Sequence, residues 1–126
     1  MSTADEPRSY PAWREALAGR EEDAAHAFGY YLMRHCRDQA LAKIRDLPAS
    51  ARDAAEVAVD TALHNVCDML EGFWPLQAGP QHRVDLVLAV RVRDESGAVK
   101  ETVEISPGRV DLPMGYWLWA RERRFR

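Results

Sequence analysis

The stretch Ser50–Pro75, SARDAAEVAVDTALHNVCDMLEGFWP, contains what a helix needs to begin, to hold a core face and to stop. Ser50 with Asp53 three residues on is a weaker form of the capping box and predicts a helix start. Placed at helical intervals, Ala55, Ala58, Val59, Ala62, Leu63, Val66, Met69, Leu70 and Phe73 form one apolar arc, expected on the core. Asp53, Glu56, Asp60, Thr61, His64, Asn65, Asp68 and Glu71 fill the rest of the circumference and are expected in solvent, although Val57 among them hints at partial cover. Gly72 is expected to be the left-handed residue after the last turn with Phe73 folding back on the helix, and Trp74-Pro75 forbids continuation.

Upstream, residues 1–8 are polar and expected to be loose, and Ser9-Tyr10-Pro11 can open a short helix ending near Gly19, with Trp13 and Leu17 on the core. Arg20–Leu47 predicts a long helix, opened by Glu21, Glu22 and Asp23 and ended by Pro48. Ala25, Leu32, Cys36, Ala40, Ile44 and Leu47 share one side, while Phe28, Tyr30, Tyr31 and Leu41 spread apolar surface more widely, so its first half is expected to be covered on several sides.

Downstream of a Pro- and Gly-containing connection the period changes from helical to alternating. Val84, Leu86, Leu88, Val90 and Val92 point one way along a first strand, Asp94–Gly97 turns, and Val99, Val103 and Ile105 continue the apolar face in a second. Such a hairpin is marginal alone, so its face must pack on helices, and its edge invites a further strand or a second subunit. The last segment, Asp111 to Arg126, reads as a short helix or a third strand. Asp111 as a cap and Met114, Trp117, Leu118, Arg121 and Phe125 at helical spacing favour the helix, against Gly115.

A chain of 126 residues is the size of one domain, here an α+β domain over 1–126 with helices packed on an antiparallel hairpin or small sheet. The 47% hydrophobic and 29% charged content is globular, and a net charge of −3 gives no general attraction to nucleic acid or acidic membranes. No apolar run is long enough to span a bilayer and the N-terminus lacks the pattern of a secretion signal, so a cytoplasmic location is expected. Cys36 and Cys67 are both expected as small buried hydrophobes, and no cofactor or metal is implied.

One constellation bears on chemistry. Asp60, His64 and Asp68 recur every four residues, so the imidazole has a carboxylate one turn above and one below, an arrangement suited to general acid–base work in a cleft. Glu71 would complete a set of oxygen and nitrogen donors for a divalent metal if another element supplied the rest. The plainer reading is a solvated acidic face, with Asp60, Asp68 and Glu71 turned toward a partner. His26 and His35 at the margin of an apolar surface read as structural, and no phosphate loop, nucleophile elbow or dinucleotide fingerprint is present. Trp74, Tyr116, Trp117 and Trp119 read as core, and Arg121, Arg123, Arg124 and Arg126 as a solvated basic tail.

At Ala62-Leu63-His64-Asn65 and Met69-Leu70-Glu71, followed by a hairpin and an aromatic C-terminus, the chain resembles small uncharacterised bacterial proteins of mixed helix and strand, some of them similar to immunity proteins of toxin systems. The resemblance implies no residue role. It favours a non-enzymatic module that binds a protein partner and can form a homodimer, over a small hydrolase or metal-dependent enzyme using His64 with Asp60 or Asp68.

Overall fold

Residues 19–125 are described by a computed structural model of the chain. The expected loose segment 1–8 and the helix from Ser9 lie outside the described residues. Helix α1 (Arg20–Tyr31) opens at Gly19, whose φ of 80° only glycine adopts readily, and its first turn carries Glu21, Glu22 and Asp23 where the helix dipole favours negative charge. The helix then runs without a break through a π-helical segment, Leu32–Arg37, into α2 (Asp38–Ile44). Within that segment the chain bonds five residues back, as Asp38 N–H does to the Met33 carbonyl, so everything beyond is turned relative to an ideal helix. This turns Cys36, expected to be buried, to the exposed side, whereas Leu32 and Met33 are buried; Leu47, also exposed, lies past the end of the helix, which stops at Ile44 and not at Pro48.

Helix α3 (Ala49–Leu70) begins two residues earlier than the cap reading places it. Pro48 occupies the N-cap and no side chain caps the first turn, so Ser50 does not play the predicted role. The end is as predicted. Gly72 is left-handed at φ 79°, the Phe73 N–H donates to the Asp68 carbonyl and the Gly72 N–H to the Met69 carbonyl, which is the Schellman arrangement. Phe73, however, stands 64% exposed instead of folding back.

The expected single first strand is divided. β1 (Leu76–Gln77) pairs with β2 (Arg83–Val84) in a small antiparallel ribbon, Asp85–Val87 belongs to neither sheet, and β3 (Leu88–Arg93) pairs with β4 (Val99–Ser106). In the second pair β3 is regular while β4 bulges twice, since Leu88 faces Ser106 but Ala89 faces Glu104, and Val92 faces Glu101 but Arg93 faces Val99. The bulges decide the apolar face. Val103 and Ile105 are buried beneath Leu88 and Val90 as expected, and Val99 is shifted off that face and exposed. Asp94 shapes the connecting turn by accepting the Ser96 and Ala98 N–H groups on Oδ1, with Gly97 at φ 89°.

The C-terminal segment is helix α4 (Leu112–Glu122). Asp111 caps it by accepting the Met114 N–H at 3.1 Å, Pro113 lies in the first turn, and Arg123 at φ 51° ends it. The core is built where α1, β4 and α4 meet, from Ala24, Ala25, Met33, Ile105, Leu112 and Trp119, with α3 adding Cys67 and Leu63. Trp119 is its centre. A Cβ at Gly29 would overlap the indole and one at Gly115 would lie 3.0 Å from it, so both glycines admit the ring. The indole N–H then donates to His26 Nδ1 at 3.0 Å, which gives His26 the structural role its position predicts. The architecture is α+β, and among the described residues no helix is long and apolar enough to cross a membrane.

Candidate functional site

Helix α3 is rotated from the orientation its hydropathy predicts. Its inner face carries Asp60, Leu63, His64, Cys67 and Leu70, while Ala58, Ala62 and Val66 of the expected core arc are exposed. The rotation is tolerable because the two most inward polar groups are met from other elements, Asp60 by Arg37 and Tyr116 and His64 by the rings of Tyr116 and Trp117, as burial of polar groups requires.

Asp60 is the best satisfied. Arg37, at the end of the π-helical segment, donates from Nε to Oδ1 at 2.7 Å and from Nη2 to Oδ2 at 3.3 Å, and the Tyr116 hydroxyl of α4 donates to Oδ1 at 2.6 Å. Burial by itself would raise the Asp60 pKa, but the Arg37 and Tyr116 hydrogen bonds more than offset it and hold the carboxyl below its ordinary value. The same contacts raise Arg37 through its bond to Asp60, and Tyr116 is raised by burial and by Asp60. This is a locked ion pair with a phenol attached, charged at every physiological pH.

His64 lies one turn along α3. Its ring stacks on Trp117 at 5.2 Å between centroids and meets Tyr116 edge-on at 5.8 Å, and Arg121 covers the other part of the Trp117 system at 4.4 Å. Its ion-pair contact is Asp68 of its own helix, Nδ1 to Oδ2 at 3.4 Å. Asp68 Oδ1 and Glu71 Oε1 are buried without a hydrogen-bond partner, and Glu71 Oε2 accepts the Gly108 N–H at 3.4 Å. Between them the Cys67 thiol is pushed up to about 12 by burial, then by Asp68 and Glu71, so it is no thiolate nucleophile at neutral pH.

The structure therefore brings Asp60, His64, Cys67, Asp68 and Glu71 to one seam between α3 and α4, but as members of a packed interface. The expectation of a solvated polar face holds for Asp53, Glu56, Thr61 and Asn65, which are exposed, and is corrected for Asp60 and His64, which Arg37 and the α4 aromatics, distant in sequence, cover. A cleft of about 470 Å³ lies instead between the starts of α1 and α4, lined by Arg20, His26, Arg109, Asp111 and Met114 among others, and His64 does not line it. Among the described residues no group of three or more His, Cys, Asp or Glu side chains is placed to hold a metal ion. Sequence reasoning missed Arg37 and Tyr116 as partners of Asp60, and the available signal was an arginine and a tyrosine on otherwise apolar helix faces. Comparison with protein-family models, with curated proteins and with solved structures finds no match for this chain.

Proposed function

We propose that the chain is a non-enzymatic, cytoplasmic protein-interaction module, immunity-like in that it acts by covering a partner's surface. One observation supports this above the rest. Ala58, Ala62 and Val66 of the α3 arc are exposed, Val66 at 39%, and past the helix end Phe73 and Trp74 stand 64% and 46% exposed. Large exposed apolar side chains grouped near one helix end are the kind of surface that marks a binding face. Two free cysteines, one exposed, suit a reducing compartment. On this reading the partner surface is the exposed part of the arc and not Asp60, whose carboxylate is taken up by Arg37 and Tyr116.

The competing reading, a small hydrolase or metal-dependent enzyme, draws on the two unpartnered carboxylate oxygens beside His64. A ring pressed on Trp117 with its carboxylate neighbour on the same helix leaves little room for a substrate at that nitrogen, and a divalent-metal titration that leaves Tm unchanged removes the metal form.

The test is capture by the immobilised full chain from a lysate of its source, repeated with Val66→Asp/Phe73→Asp. A protein retained by the wild type and lost by a variant of equal Tm supports the reading. Equal retention by both overturns it.

A further inference from the structure

Among the described residues the β3–β4 hairpin is a sheet of two strands, and β3 pairs there on one side alone. Natural sheets blunt such an edge with bulges, and both bulges of this pair fall in β4, which leaves β3 regular over Leu88–Arg93. Alongside the unpaired edge runs an apolar groove of about 460 Å³, floored by Phe28, Tyr31, Leu32 and Cys36 and walled by Leu88 and Val90. The hairpin packs on the helices through Val103 and Ile105, and the groove beside its edge has the place and chemistry of a further strand.

The sequence of the edge indicates what fills it. Asp85-Leu86-Val87-Leu88-Ala89-Val90-Arg91-Val92-Arg93 is complementary to itself when reversed about Ala89. In an antiparallel pairing of two copies about that residue, Leu88 meets Val90, Leu86 meets Val92, Val87 lies against the Arg91 stem, and Asp85 meets Arg93, each twice by symmetry. No like charges stand opposite one another. Centring on Val90 instead sets Asp85 against Glu95, which is repulsive. Arg93 Nη1 donates to the Gly97 carbonyl at 2.7 Å, which leaves Nε and Nη2 for a carboxylate. Asp85, Leu86, Val87 and Ala89 are all exposed, with Val87 at 57%.

We propose that β3 is a homodimerisation edge, at which two copies pair antiparallel about Ala89 and join their hairpins into one four-stranded sheet, β4–β3–β3–β4. Leu88 and Val90 of the second copy enter the groove over Phe28 and Leu32. The Asp85–Val87 segment, which belongs to neither sheet in the single chain, becomes strand. This surface is separate from the α3 arc and goes beyond the heterologous binding proposed above; the mass of the purified protein tests one and lysate capture the other.

Sedimentation equilibrium on the purified full chain reads the proposal. The wild type is expected at twice the chain mass. Ala89→Glu sets two carboxylates on the symmetry axis and is expected to weaken association by about tenfold or more, as are Asp85→Arg and Arg93→Asp alone. The double swap Asp85→Arg/Arg93→Asp restores the opposite-charge pairs and is expected to recover most of the affinity. All three positions are exposed, so equal Tm shows that the monomer fold is intact. A wild type that stays monomeric at the highest soluble concentration overturns the proposal, as does a dimer indifferent to Ala89→Glu, and a dimer weakened by the singles without rescue by the double overturns the register about Ala89.

Discussion

Replacing Asp60 by alanine removes three hydrogen bonds at once, two from Arg37 and one from Tyr116, and leaves a guanidinium facing a gap between α2, α3 and α4. Breaking a fully buried pair from one side costs about 3–5 kcal/mol, and a hydrogen bond to a charged group is worth about 1.5–3 kcal/mol. Here the two side chains keep 18% and 22% of their exposure, so water recovers part of the loss. The expected cost is about 3 kcal/mol, read as a shift of the urea midpoint at unchanged slope. Tyr116→Phe keeps the ion pair and loses the phenol bond, for about 1.5 kcal/mol, and the double variant should cost less than the sum because both singles remove the same bond. The pH dependence has a definite sign. The folded Asp60 titrates below the ordinary 3.8, so its contribution is complete above that value and fades as pH falls through the folded pKa. The gap between wild type and Asp60→Ala should therefore close in acid. A cost under about 0.5 kcal/mol at neutral pH, the size of an ordinary surface substitution, would refute the reading of Asp60 as an interior anchor.

Two further outcomes are expected. Gly29→Ala drives a methyl into the Trp119 indole and should lower stability by about 1–3 kcal/mol, the range for overpacking, with a thermal melt as the check; an unchanged Tm would mean that the ring is not held against that backbone. In the native protein a thiol reagent should modify Cys36 rapidly and Cys67 only after denaturation, so rapid release of two equivalents would contradict the burial of Cys67.

What was legible in the sequence was local. The stop at Gly72, the cap at Asp111 and the alternation through β3 depend on neighbours a few residues away, and all are present. Gly115 argued against the C-terminal helix only while its reason was unseen, which is the nearness of Trp119. The orientation of α3 was not legible, because a helical wheel ranks faces by hydropathy and knows nothing of partners. Asp60 turns inward on account of a guanidinium 23 residues away and a phenol 56 residues away. Likewise nothing in Leu32–Arg37 announces bonding five residues back, and Cys36, expected in the interior, lies within that segment and is exposed. The first strand was divided because Leu76–Gln77, too short to show a period, takes Arg83–Val84 for its own ribbon.

The bond between Trp119 and His26 spans 93 residues and bears on how the chain comes off the ribosome. Helix α1 is synthesised early, yet the indole that fills the space against Gly29 arrives with α4, after α3 and both sheets. Ala24, Ala25 and Met33 share one core cluster with Cys67, Val103 and Ile105 and with Leu112, Tyr116 and Trp119 of α4, so part of their cover follows α3 and both sheets in the chain. The packing of α1 is therefore completed by one aromatic side chain from the far end of the fold.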